Sequence, residues 1–438
     1  MKRNSSMKLH RLPQLLLLGA AIAASSAACG GKQQVGDGAA SGSSRAAERE
    51  AQQAIGSGGE RTAAAAAEIA QAQTPEEREA ARQRVIQAKR EDAAVLYLEG
   101  AHGSRDYRRL ERLMSEILEA TPNDPDALFN LGLLKYEQGD TPAAIEYWNQ
   151  ATAANESYAR GLAAVGTLRY MDGDVAGAEQ IFLQCVERSE TEAGCNINLA
   201  QIARTRALGD GRLTSAEARD SILRLRWALG GESRNPQAYA DLARVYREMG
   251  QLDLALLVSV NAVQLGIEEA PVLNQLGLVH LRKDNVVEAY AAFNHAVQID
   301  PNFLDAWMNI GAMALSFRDF EVANDAFGRV VAGADRIPED QLVDAILSHG
   351  VAKRGVDDLA GAEADYKRVL ELRPNDTRAL FNLGVLYQEG HRDYREAVTW
   401  IERFQTAYAQ PDSQLGKDVA HRLTTLNALI QILEMDGN

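Results

Sequence analysis

The sequence has no cluster of lysine and arginine with interleaved aromatics. Its balance runs the other way: 46 Lys and Arg stand against 61 Asp and Glu, a formal net charge of −15. A surface of that sign repels nucleic acid and anionic headgroups, so a nucleic-acid role is disfavoured. Also missing are a Walker-type loop, a GxSxG elbow and an HExxH pair, the short motifs that would announce phosphate binding, serine hydrolysis or zinc chemistry. The carboxylates fall mostly on polar helix faces, and no two stand out as an acid and base. No catalytic residue, metal, cofactor or small-molecule substrate is expected. The apolar run Leu15 to Ala24 is too short to span a membrane.

What is present starts with that run. The first 28 residues have a basic zone (MKRNSSMKLHR), an apolar zone and a small-residue zone (SSAA), the pattern read by the export machinery. Cys29 follows Ala27 and Ala28 directly, and this ending resembles the lipobox of bacterial lipoproteins, with Ser26 where that family usually has Leu. The resemblance implies a signal peptide over 1–28 and acylation of Cys29. It also implies an outer-membrane protein, because Gly30 is not the Asp of the inner-membrane retention signal. Several acyl chains anchor a protein stably without spanning the bilayer, so the chain would face the periplasm. Residues 29–60 are rich in Gly, Ser, Ala and Gln and read as a flexible tether.

Beyond the tether the chain repeats itself. From Pro125, Leu131 and Gly132 are followed by Gly139, Asp140, Ala144, Trp148 and Ala151; 34 residues on come Val165, Gly166, Gly173, Asp174, Ala178, Phe182 and Cys185. The pattern recurs with starts at 125, 159, 193, 236, 270, 304, 343 and 377, and a degenerate copy runs from Glu91 to Asp124. Small residues at repeat positions 8, 20 and 27 let two helices approach closely, large apolar ones at 4, 7, 11 and 24 fill the space between, and Gly at 15 supports a tight turn. One such pair cannot bury its apolar face, whereas a stack can.

The pattern resembles the tetratricopeptide (TPR) family. That implies an all-α fold, a right-handed TPR superhelical solenoid of helix-turn-helix repeats. The expected plan is N-terminal helices with the degenerate repeat over 61–124, the array over 125–411, and a closing helix over 412–438 that turns Leu423, Leu426, Leu429 and Ile430 toward the last repeat. Nine extra residues separate starts 193 and 236, and five separate 304 and 343. They are either plain surface insertions or changes of direction that shape a docking face. His280 and His349 occupy apolar repeat positions, where core packing accounts for them. Cys185 and Cys195 fall at position 27 of one repeat and position 3 of the next, on neighbouring antiparallel helices. A disulfide in an oxidising periplasm and two small buried thiols both suit those positions.

In the TPR family the first helix of each pair lines a concave groove through positions 2, 5, 6, 9, 12 and 13. Those positions here supply Phe129, Asn130, Tyr136, Tyr170, Asn198, Arg204, Arg244, Arg247, Asn309, Arg378, Phe381 and Asn382 as the candidate partner-binding surface. Asn can donate to and accept from a peptide backbone together, and aromatics can anchor it. The Lys and Arg set of a chaperone-tail carboxylate clamp is absent from consecutive repeats. The overall plan resembles TPR lipoproteins of envelope-spanning machines, most closely those of adventurous gliding motility. The resemblance implies a non-catalytic scaffold whose partners are envelope proteins bound through the TPR surface, with the membrane reached through acylated Cys29. A pilotin-like assembly factor for a type IV pilus secretin, and an adaptor for a periplasmic protease or peptidoglycan hydrolase, are the alternatives.

Overall fold

The computed structural model describes residues 50, 52–54, 56–99, 105–209 and 215–436. The expected signal peptide, Cys29 and the tether up to residue 49 lie outside the described residues. The all-α expectation holds: the structure is built of helices, and no strand occurs among the described residues. No helix there is long and apolar enough to cross a membrane. The chain forms two compact units, Met1–Gly250 and Gln251–Asn438.

The first unit opens with α1 (Glu60–Gln71), α2 (Pro75–Glu99) and α3 (Tyr107–Ala120). Antiparallel pairs follow: α4 (Pro125–Glu137) with α5 (Thr141–Ala154), α6 (Arg160–Met171) with α7 (Val175–Arg188), and α8 (Ala193–Gly209) with α9 (Ser215–Gly231); α10 (Pro236–Glu248) ends the unit. The second unit starts with α11 (Leu252–Gln264) and continues with α12 (Ala270–Arg282), α13 (Val286–Ile299), α14 (Leu304–Ser316), α15 (Phe320–Ala332), α16 (Glu339–Gly355), α17 (Leu359–Leu372), α18 (Thr377–Val385), α19 (Tyr394–Ala407) and α20 (Gln414–Asp436).

The helix starts have a local cause. Asp124 and Asn235 cap α4 and α10, accepting from the backbone N–H three residues on at 2.9 Å in each case, and Pro125 and Pro236 occupy the first turn where no N–H is needed. Aspartates at repeat position 16 do the same for second helices: Asp140, Asp174, Asp319 and Asp358 each cap theirs. The core lies between paired helices. A Cβ on Gly166 would come within 2.5 Å of the Phe182 ring, and one on Gly311 within 2.7 Å of Phe327. Position 8 must therefore be almost empty where position 24 of the same repeat carries a ring.

Several boundaries differ from expectation. The copy drawn from Glu91 does not begin a helix, because Glu91 lies well inside the long α2. The start assigned to 343 moves to Glu339: the five extra residues form a short 3-10 turn at Ala334–Arg336 and one more turn of helix after Pro338. The nine extra residues after 193 lengthen α8 and α9 to 17 residues each. In the last repeat, α18 runs on into a π-turn, Leu386–His391, before α19 begins. The expected tether is shorter than drawn, since Glu50, Ala54 and Gly56 to Gly59 already touch α1, α2 or α3. On α20, Val419 and Leu426 are fully buried and Leu423 packs beside them; Leu429 and Ile430 are only half-buried.

Candidate interaction surface

Within each unit, successive first helices also touch one another: α6 with α8 and α8 with α10 in the first, α12 with α14, α14 with α16 and α16 with α18 in the second. On their common face, position 6 of one repeat meets position 5 or 9 of the repeat before it. Asn198 on α8 donates to the Gly194 carbonyl at 2.8 Å and to Thr167 Oγ1 on α6 at 3.3 Å, so this buried amide is spent tying two helices together. Asn309 on α14 donates to Asn274 Oδ1 on α12 at 2.8 Å. Among the described residues, the amide hydrogens of Asn274 and the carbonyl oxygen of Asn309 make no further hydrogen bond. Asn130 and Asn382 are half-buried and make no hydrogen bond among the described residues.

Two of the expected aromatic anchors are core instead. Phe129 is 4% and Tyr136 3% exposed; both pack on Trp148, at 6.3 and 6.1 Å between ring centroids, and burial pushes the Tyr136 hydroxyl up to about 12. The reason is the size of Trp148, which fills the pair and takes up Phe129 from one side while Tyr158 meets it from the other at 6.2 Å. Tyr170 is half-buried against its own repeat core. Phe381 remains half-buried, with the Phe404 ring 5.7 Å away and Arg422 of α20 at 5.8 Å.

The expected cations are largely paired. In the first unit, Arg204 of α8 reaches Glu248 of α10 at 3.1 Å, and Arg244 reaches Asp241 at 3.5 Å; with Arg247 on the same helix they make a strip of mixed charge. In the second unit, Arg378 bridges Asp344 of α16 at 2.7 Å and Asp376 at 3.0 Å, and the Asp376 bonds hold its guanidinium above its usual range. The cysteines lie at the α7–α8 junction, where the structure joins Cys185 to Cys195 in a disulfide with Cα atoms 6.3 Å apart and both side chains buried.

Residues 129–193, 270–303 and 347–412 match the tetratricopeptide repeat family. The chain carries tetratricopeptide repeats. It is 26% identical over 191 residues to the human protein O-mannosyl-transferase TMTC1, covering 43% of this chain and 20% of that one. It is 28% identical over 155 residues to the Bos taurus BBSome complex member BBS4, covering 35% and 29%. The chain thus spans less than a third of the length of either relative. Among solved structures it is similar to that of Pseudomonas aeruginosa pilF, with a TM-score of 0.41 and 17% identity, over 54% of this chain and 98% of that one.

The TPR register left some polar residues unread. Asn274 and Asp344 occupy positions 5 and 2 of their repeats and were legible once those starts were drawn; Arg422 was not, because α20 was read only for its apolar seam. A further cluster lies at the π-turn, where Glu363 accepts from Tyr387 at 2.7 Å and meets His391 at 3.1 Å and Lys367 at 2.5 Å. Burial opposes ionisation of Glu363, yet the bonds from Lys367 and Tyr387 outweigh it and hold the carboxyl below the usual range. His280 is half-buried and touches Asn285 at 3.4 Å, and desolvation lowers its pKa. His349 meets Asp365 at 2.9 Å, and Lys353 shares that carboxylate at 3.0 Å. No group of three or more His, Cys, Asp or Glu able to hold a metal occurs among the described residues.

Proposed function

We propose that the protein is a non-catalytic scaffold, held to the outer membrane by acylated Cys29, whose TPR surface gathers other periplasmic-side envelope proteins into one machine. The observation that carries this reading is the set of uncommitted amides on first-helix faces: Asn130, Asn382 and the open ends of the Asn274–Asn309 pair. Such groups can pair with an extended backbone, which offers a donor and an acceptor at every residue. The Cys185–Cys195 disulfide supports export, since oxidising compartments maintain such bonds and the cytosol does not. The assignment to gliding motility rests on the plan read from the sequence: leader, SAAC ending, tether and long array.

Crosslinking of whole envelopes followed by purification of the full chain tests the scaffold. Several envelope proteins should co-purify, and Asn130→Ala combined with Asn382→Ala, which removes no hydrogen bond among the described residues, should reduce their recovery at unchanged melting temperature. Recovery of none would end the reading. Fractionation of Cys29→Ala tests the anchor separately: the variant should leave the membrane fraction, and retention there at the wild-type level would remove the lipid from the proposal. For gliding, deletion of the chain should abolish the movement and re-expression should restore it.

A further inference from the structure

The stretch GSGG, residues 56–59, reads in the sequence as linker, yet the structure fits it closely. The Ser57 N–H donates to both carboxylate oxygens of Glu116 on α3, at 2.9 and 3.2 Å. Arg109 of α3 donates to the Ser57 carbonyl at 3.1 Å and to the Gly58 carbonyl at 3.4 Å. The Gly59 N–H donates to Asp92 of α2 at 2.6 Å, and the same oxygen takes the Thr62 N–H and hydroxyl at 3.1 and 2.6 Å. Lys89 of α2 completes the cradle, 2.6 Å from Glu116.

The glycines are required by space as well as by backbone. Gly56 has φ of +50° and a Cβ there would fall 2.6 Å from Glu116 Cδ; a Cβ on Gly58 would strike the Thr62 side chain; one on Gly59 would lie 3.1 Å from Asp92. Any L side chain at Gly56 or Gly58 would displace the strap. Upstream, Glu50 reaches Arg82 of α2 at 2.7 Å and Ala54 rests on the α1–α2 cluster. The hold is therefore almost wholly backbone to charged side chain. The apolar core beneath, with Leu110, Leu113 and Ile117 of α3, uses none of the strap.

We propose that residues 56–59 form a releasable latch, which when docked on the α2–α3 cradle fixes the point where the tether leaves the array and when released lengthens the tether. Because the latch contributes polar bonds and no core residue, it opens without unfolding the helices beneath it, in the manner of a low-stability local unit. Release of the latch together with the Glu50–Arg82 pair and the Ala54 contact adds up to roughly 3.4 Å of extended chain per freed residue. The mechanical consequence rests on the anchored reading above, but the latch itself does not.

Hydrogen exchange on the full chain tests it. In the wild type the amides of Ser57 and Gly59 should be protected, and Gly58→Val and Arg109→Gln should each raise their exchange rates at least tenfold while the melting temperature and the exchange of α3 core amides stay unchanged. Free exchange of those amides in the wild type would overturn the latch. So would a drop in melting temperature as large as that of Leu113→Ala, which would make the strap part of the core. Exchange is read whether or not Cys29 is acylated, so failure of the anchor and failure of the latch give different results.

Discussion

The two units make the same hairpin turn from different residues. In the first unit the turn position is Gly139, Gly173 and Gly250, with φ of +86°, +88° and +75°; in the second it is Asp284, Arg318, Asp357 and, one residue late, Arg392, with φ between +56° and +65°. No atom lies within 4 Å of a Cβ added to any of the three glycines, so glycine serves conformation there and not space. An L residue in the left-handed region costs roughly 1–2 kcal/mol, less for Asp, whose side chain can bond locally. Either residue type serves because in both units the flanking helices are placed by the same means, Gly166 against Phe182 in the first and Gly311 against Phe327 in the second, and by the caps of Asp174 and Asp319 just past the turn. In a TPR hairpin the turn follows the packing.

The most severe way to unbalance the units is through buried charge. In the first unit the Glu137 side chain is 0% exposed, 3.2 Å from Arg105, and takes a hydrogen bond from the Tyr97 hydroxyl. Removing one partner of such a pair strands the other, at about 3–5 kcal/mol. Arg105→Met should therefore lower first-unit stability by that amount in chemical denaturation, with second-unit amide exchange unchanged. A loss below about 1 kcal/mol would mean that water reaches Glu137 and that the pair does not set the unit apart.

A smaller asymmetry is covalent. The Cys185–Cys195 disulfide spans a sequence separation of 10, and the second unit contains no cysteine. Closing so short a loop restricts the unfolded chain by about 2–3 kcal/mol. Cys185→Ser with Cys195→Ser should remove that from the first unit alone, seen as faster exchange across α7 and α8. Unchanged exchange there would show that packing by Ala159, Ala163 and Phe182 already holds the junction.

The position-8 glycines, by contrast, should behave alike in both units. Gly166→Ala and Gly311→Ala each push a methyl into a ring, and overpacking of this kind costs about 1–3 kcal/mol. Equal losses measured by denaturant midpoint would support one packing rule; a loss in only one unit would break it.

How much of this could be read from the chain depended on whether a residue acts within its own repeat. Starts at 125, 193, 236, 270, 304 and 377 coincide with the first residues of helices; at 125, 236 and 377 the cause is a local cap, from Asp124, Asn235 and Asp376, and position-8 glycines paired with position-24 rings lie inside one repeat. The start at 343 failed because Pro338, Glu339 and Asp340 begin the helix early, a local signal overruled by counting in register. The groove list was partly wrong for a different reason. Position 5 points a side chain toward the groove, but whether it stays there depends on the neighbouring rings, and Trp148 with Tyr158 draws Phe129 inward. The Arg204–Glu248 pair and the GSGG strap join residues 44 and up to 59 positions apart, and no short pattern carries such contacts.

The mildest test exchanges the turns themselves. Arg318→Gly relieves the left-handed strain but loosens the unfolded chain, which returns roughly 0.4–1 kcal/mol of the gain; a net stabilisation of about 0.5 kcal/mol is expected. Asp357→Gly should be close to neutral, since Asp already tolerates the conformation. The reverse change, Gly173→Arg in the first unit, should cost about 1 kcal/mol, because the site is open around the missing Cβ and only φ opposes the side chain. All three are read from denaturant midpoints at constant slope. If Arg318→Gly destabilised the second unit instead, the arginine would be holding the turn, and packing would no longer be the cause of its shape.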